Sequence, residues 1–302
     1  MAEQSNGSNA NANGNKRKKP TSAYRKLRRK LSITKFRAPL LWFRHHGFRP
    51  ADVFLGSYPR SGTTWTRFTL FEILTGGTSG FVAVNGALHG VGAHKTGSPV
   101  LPNGGRLINT HERYHKHYKR AIYLVRDARD VALSEFAYTR ALEFFDGDLD
   151  KFLTTFLCKK INAFGPWQVQ VSSWLDSPIA GTSDLLLMHF EELRQNPVEG
   201  FSRMADFLGV KVDHTIIERA IANNALEKMQ EKERKEPVRA SVKDRFVRSG
   251  AVQGWRSKLT PAQIALIEEH AGSVLTRLGY PLTSESSKPE IESGSVLQSS
   301  LS

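Results

Sequence analysis

Cysteine is nearly absent from this chain, with Cys158 alone in 302 residues. A lone thiol closes no internal disulfide, and no Cys/His spacing offers a zinc site. Long apolar runs are lacking too. The patch Ala38-Pro-Leu-Leu-Trp-Phe43 contains a proline and falls far short of the roughly 20 residues that cross a bilayer. A secretory signal is not expected, because the chain opens on a polar Asn, Ser and Gly tract without an apolar core. Acidic residues are scarce at one end only. Residues 1–50 hold 13 Lys and Arg against one acid, Glu3, leaving 30 basic and 28 acidic side chains for the other 252. The net charge of +14 therefore belongs to an N-terminal arm, and the remainder is nearly neutral. A specific nucleic-acid partner is accordingly not expected. The basic clusters Lys16–Lys19 and Arg25–Lys30 either remain solvated or bind a polyanion, whether acidic lipid, nucleic acid without sequence preference or a polyanionic substrate. Those absences make the expected location cytoplasmic, with peripheral membrane contact through the arm.

Three regions follow from composition. Residues 1–50 read as a basic, partly disordered arm, 51–282 as one domain, and 283–302 as a disordered Ser-rich tail. Within the domain, short apolar runs at Val53–Leu55, Arg106–Asn109, Ala121–Val125 and Asp184–His189 read as strands. Helical patterns occupy about Gly62–Thr75, Asp130–Arg140, Leu149–Asn162, Gly165–Trp174, Pro197–Leu208 and a stretch from Asp213 to Asn223. Thr260-Pro261 supplies an N-cap and first-turn pair for a last helix ending near Arg277. Gly76 to Gly105 reads as a long loop, and residues 230–244 as exposed and charged. Strands alternating with helices indicate an α/β fold, a parallel sheet flanked by helices, with ligands at the carboxyl ends of its strands.

The densest chemistry lies in Val53-Phe-Leu-Gly-Ser-Tyr-Pro-Arg-Ser-Gly-Thr-Thr-Trp65. A small-residue loop entering a helix aims backbone N–H groups and the positive end of the helix dipole at one point. Ser61, Thr63 and Thr64 add hydroxyls, and Arg60 adds a fork of charged donors, so the loop suits a phosphate-like anion. It departs from the Walker A pattern. Five residues separate Gly56 from Gly62, and Thr63 stands where the phosphate-binding Lys would be.

Tyr58–Trp65 resembles the Tyr-Pro-Lys-Ser-Gly-Thr-Thr-Trp signature of sulfotransferases that use 3′-phosphoadenosine 5′-phosphosulfate (PAPS), with Arg60 replacing Lys. Ala121–Ser134 is similar to that family's 3′-phosphate-binding strand and helix, and Arg248–Trp255 to its Arg-Lys-Gly segment ending in Trp. The three blocks, in order, span Asp52 to about Leu282. The resemblance implies a P-loop-kinase-like fold and sulfuryl transfer from PAPS to a hydroxyl or amine of a small-molecule or glycan acceptor. It implies that Arg60, Ser61, Gly62, Thr63, Thr64 and Trp65 hold the 5′-phosphosulfate end, Arg60 also stabilising the leaving group. Arg126, Ser134, Arg248, Ser249 and Gly250 would bind the 3′-phosphate, Ser249 standing where the family has Lys. Trp65 and Leu226, the latter replacing a Phe, would meet adenine; Phe190 stands where some members carry a hydrogen-bonding Tyr. No metal is implied, since a phosphosulfate needs no Mg²⁺ bridge between phosphates.

Deprotonating an acceptor requires a base. Asn109-Thr110-His111 corresponds to the family's Lys-Thr-His, and histidine's ordinary pKa near 6.5 suits that role. Glu72, in the helix after the loop, is the carboxylate alternative. Two other functions fit the same features less closely: an ATP-dependent small-molecule kinase, against which the missing Walker Lys speaks, and a non-catalytic module binding nucleotides or polyanions.

Overall fold

The computed structural model describes residues 43–159, 161–236 and 246–283. Most of the basic arm and nearly all of the Ser-rich tail therefore lie outside the described residues. The sheet has four strands: β1 (Val53–Ser57), β2 (Leu107–Thr110), β3 (Ala121–Val125) and β4 (Leu185–His189). All neighbours run parallel, in the order β2-β1-β3-β4. Register pairs Val53 with Leu107, Phe54 with Ala121, and Ala121 with Leu185.

The central strands are apolar throughout because both faces are covered. Successive side chains of a strand point to opposite faces. Phe54, Ala121, Tyr123 and Val125 accordingly enter one core, while Val53, Leu55, Ile122 and Leu124 enter the other. The first core is closed by α3 (Ala128–Ala141), α4 (Leu149–Cys158), α5 (Trp167–Leu175) and α10 (Pro261–Arg277). Helices α1 (Thr63–Thr75), α2 (Phe81–Ala87), α7 (Pro197–Phe207), α8 (His214–Asn223) and α9 (Leu226–Lys235) close the second. Short α6 (Phe190–Gln195) follows β4 directly. Trp174 stacks on Tyr123 at 4.7 Å and on Tyr118 at 5.6 Å. That stack needs Gly56, where an added Cβ would stand 2.8 Å from the indole.

Most element boundaries agree with the sequence reading within a few residues. The Thr260-Pro261 start forms a full capping box with Gln263, worth about 1 kcal/mol. Three readings change. Gly76–Gly105 is not structureless: α2 and a 3₁₀ turn at His94–Thr96 divide it, held by the buried Phe81, Val84 and His94. The charged stretch beginning at residue 230 is, up to Lys235, part of α9, which buries Met229. Packing also begins ahead of residue 51, since His45 is buried against Tyr118 and Phe48 meets Phe54 edge-on at 4.9 Å. Among the described residues, no helix is long and apolar enough to cross a membrane.

Candidate active site

The chain leaves β1 toward β2 on one side of the sheet and then crosses to β3 on the other. Where strand order reverses this way, a crevice opens at the carboxyl ends of the two central strands. A cavity of about 670 Å³ lies there. Each strand delivers a wall residue just past its end: Arg60 after β1, His111 after β2, Arg126 after β3 and Phe190 after β4. The walls carry Arg60, Arg126, Arg194, Arg248 and Lys258 against only two acids, Asp130 and Glu135. Together with the N-terminus of α1, that excess of cations makes the cavity a receptor for anions.

The β1–α1 loop is held in an uncommon conformation. Arg60 has φ 71° and Gly62 φ 93°, both left-handed. At Gly62 a side chain is also excluded by space, because an added Cβ would lie 2.3 Å from Phe190. Holding a non-glycine residue such as Arg60 there costs of order 1 kcal/mol or more, a kind of strain that collects at ligand sites. Its guanidinium lies between the rings of Tyr138 (4.7 Å) and Phe246 (5.0 Å). Nε donates to Ser134 Oγ at 3.2 Å and Nη2 to the Phe246 carbonyl at 3.2 Å. Burial pulls its pKa down, with Glu135 acting the other way. Arginine nonetheless remains a cation near neutral pH.

Arg126 joins the loop to a distant segment. Its Nη1 donates to the Arg60 carbonyl at 3.0 Å and its Nη2 to the Ala251 carbonyl at 2.6 Å. Asp130 lies 3.8 Å away, and the Phe190 ring sits 4.7 Å from the guanidinium. Nε is buried without a hydrogen-bond partner among the described residues. An orphaned cationic donor in a cavity wall, beside a cradle that a Cβ would fill, suits a phosphate group. Gly62, Thr63, Thr64, Trp65, Ser134 and Leu226 line the same cavity, as do Arg248, Ser249 and Gly250. Ser61 does not. It is wholly buried behind the loop, and its Oγ has no partner among the described residues. The hydroxyl role expected of Ser61 has no counterpart in the cavity wall, where its neighbours Arg60 and Gly62 stand instead.

His111 also lines the cavity. Its Nδ1 lies 3.0 Å from the Ser57 carbonyl, which can only accept, so Nδ1 carries the proton and Nε2 the lone pair. The Ser57 hydroxyl, 3.1 Å from Nδ1, pairs in turn with Thr63 Oγ1 at 2.5 Å. Gln170 braces this corner from α5, its Nε2 donating toward the Ser57, His111 and Glu112 carbonyls. Burial lowers the His111 pKa to about 4, the hydrogen bond to Ser57 opposing, and the cations Arg67 and Arg60 lowering it further. The ring is consequently neutral near pH 7, with a free nitrogen able to take a proton.

The carboxylate alternative fails on position. Glu72 does not line the cavity; it is buried on the far side of α1. Ser79 donates to it through both N and Oγ, Asn223 and Asn224 donate through their amides, and Lys232 Nζ lies 3.4 Å away. Burial works to raise its pKa, but these partners prevail and hold it below the ordinary value. Glu72 is an ionised tie between helices and not an acceptor-facing base.

Other wall residues carry little local signal. Arg194 lies over the Trp65 indole at 5.2 Å, and Phe246 and Tyr138 flank Arg60. Asn162 and Phe164, from the connection between α4 and α5, lie on the wall, and the His111 ring meets Phe164 at 5.5 Å.

Known proteins resemble this chain over about three quarters of its length. Sulfotransferase 1B1 of Mus musculus is 27% identical over 257 residues, covering 74% of this chain and 83% of the relative. Sulfotransferase 1 family member D1 of the same organism is 25% identical over 246 residues, 73% of this chain and 82% of its own length. The structure of mouse sulfotransferase SULT7A1 complexed with PAP superposes with a TM-score of 0.63 at 23% identity, covering 82% of this chain and 95% of that one. Retinol dehydratase in complex with androsterone and the inactive cofactor PAP gives 0.63 at 21%, covering 77% and 83%. Those structures share the fold: a parallel sheet between helices with a P-loop-like first turn. A sequence model described as "Sulfotransferase domain" matches residues 100–279, more than half of the chain, and the protein belongs to that sulfotransferase family.

Proposed function

We propose that this sulfotransferase moves the sulfuryl group of PAPS to a hydroxyl or amine of a small, largely apolar acceptor. The observation that carries the reading is the convergence of Arg60, His111 and Arg126, from three strand ends, on one cation-rich cavity. In the reaction the bridging S–O bond of the phosphosulfate breaks and an acceptor oxygen or nitrogen bonds to sulfur. The acceptor's proton passes to His111 Nε2, and 3′-phosphoadenosine 5′-phosphate (PAP) leaves with the electron pair of the broken bond. Arg60 and the N–H groups at the start of α1 stabilise the negative charge growing on the departing phosphate. Arg126, Ser134, Arg248, Ser249 and Gly250 receive the 3′-phosphate. Trp65 and Leu226 bracket adenine, and Phe190 supports the loop from below. Arg60 already donates to Ser134, so the two phosphate subsites share a contact before any donor arrives.

The acceptor end supports an apolar substrate. His111 is flanked by Phe164, and Leu133, Phe136 and Ala137 line the same cavity. An aromatic or alicyclic alcohol fits this wall better than a glycan, whose many hydroxyls would lose water without replacement partners.

Calorimetry with PAP and with ATP, each with and without Mg²⁺, tests the donor. Tight PAP binding without Mg²⁺ and negligible ATP binding are expected. Preference for MgATP would return the kinase reading. Transfer from labelled PAPS to a panel of phenols, sterols, sugars and amines then tests the acceptor class, and a sugar preference would overturn the apolar assignment.

A further inference from the structure

The segment Phe246–Gly250 lies on the cavity wall but belongs to no helix or strand, so something else must hold its backbone. Helix α9 does this with two side chains. Glu233 accepts from the Phe246 N–H at 2.7 Å through Oε1 and from the Val247 N–H at 2.9 Å through Oε2. Gln230 Nε2 lies 3.0 Å from the Arg248 carbonyl and 3.4 Å from that of Val247. Residues 230 and 233 are three apart and share one face of the helix. Leu226 and Met229, on neighbouring turns, reach the same cavity.

The opposite attachment of α9 leads to the anion loop's helix. Lys232 Nζ donates to Ser79 Oγ at 2.6 Å and Asn224 Oδ1 at 2.8 Å, and pairs with Glu72 of α1 at 3.4 Å. Glu236, just past α9, accepts from the Val82 N–H at 2.8 Å in the first turn of α2. The clasped segment in turn touches the loop itself, since the Phe246 carbonyl accepts from Arg60 and its ring lies under that guanidinium.

We infer that Glu233, assisted by Gln230, is a positioning residue for the donor site: it sets the backbone that presents Arg248, Ser249 and Gly250 to the 3′-phosphate. This rests on the proposed assignment of that segment to the 3′-phosphate. An ionised carboxylate held across two successive N–H groups is among the stronger ways to fix a loop without secondary structure. Its loss therefore weakens recognition of the 3′-phosphate more than that of the 5′ end.

The test compares PAP with adenosine 5′-phosphate (AMP), by calorimetry, on wild type, Glu233→Ala, Glu233→Gln and Gln230→Ala. In Glu233→Ala, loss of two charge-assisted bonds should weaken PAP binding about tenfold while AMP binding changes less than about twofold. Glu233→Gln keeps one acceptor oxygen and should fall between, which also covers the case of a poorly folding alanine variant. Unchanged PAP affinity in both Glu233 variants overturns the inference. Equal weakening of PAP and AMP overturns it as well, since the effect then runs through Arg60 or the whole domain and not through the 3′-phosphate segment. A wild-type protein that fails to prefer PAP over AMP would instead refute the 3′-phosphate assignment beneath it.

Discussion

The acid limb of the pH–rate profile tests the base directly. An unperturbed histidine would titrate near 6.5, whereas burial of the His111 ring brings its pKa to about 4. At pH 5.5 an ordinary imidazole would be about 9% neutral, whereas one with a pKa of about 4 would be about 97% neutral. The two cases differ about tenfold in active base at one accessible pH. The same sign governs stability. With the folded-state pKa below the unfolded one, the contribution of His111 is fully present above about 6.5 and is lost as pH falls toward 4. The assay is initial-rate release of PAP between pH 5 and 8, with kcat/KM reporting the free enzyme. A phosphomonoester such as the donor's 3′-phosphate titrates near 6, so PAP affinity is followed over the same range and its pH dependence divided out. After that correction, the rate should hold level to below about pH 5.5. A corrected limb centred near 6.5 would refute the lowered pKa of the half-buried His111 ring. A profile unchanged in a His111→Ala variant that keeps full activity would remove His111 from catalysis altogether.

Arg60→Ala should lower kcat by about 10² to 10³ with the fold retained, and Arg60→Lys should recover much of it; near-normal turnover by a folded alanine variant would sink the leaving-group role. Arg126→Ala should narrow the affinity gap between PAP and AMP, which titration calorimetry reads. Gly62→Ala meets both an unfavourable φ of 93° and the Phe190 ring at 2.3 Å, so donor binding should collapse, and Phe190→Ala in the same chain should restore only part of it. Glu72→Ala leaves half-buried Lys232 without its main anion and should cost about 2 kcal/mol in chemical denaturation. Its kcat, measured where the variant is folded, should stay close to wild type.

Much of this protein was legible from residue order, because the signals involved are local. Alternation within Phe54–Leu55 and Ala121–Val125 sets which core each side chain enters. Thr260, Pro261 and Gln263 begin α10 within a single turn. The anion loop is local as well, since its strand, turn and helix are contiguous from Val53 to Thr75. Sequence favoured His111 over Glu72, because it follows the strand that lines the cleft in similar enzymes, but did not settle between them. That choice depends on contacts far apart in the chain: Ser57 lies 54 residues from His111, and Lys232 lies 160 from Glu72. The same limit hid the setting of Arg60, whose partners Ser134 and Phe246 are 74 and 186 residues away. It also hid Glu233, an ordinary helix-surface residue until the backbone at 246 and 247 arrives beside it. Ser61 shows the converse: a motif names a hydroxyl, but the turn's geometry decides which way it faces. Elements arise from neighbouring residues, whereas an active site arises where distant segments exclude water together, and only the packed chain contains that information.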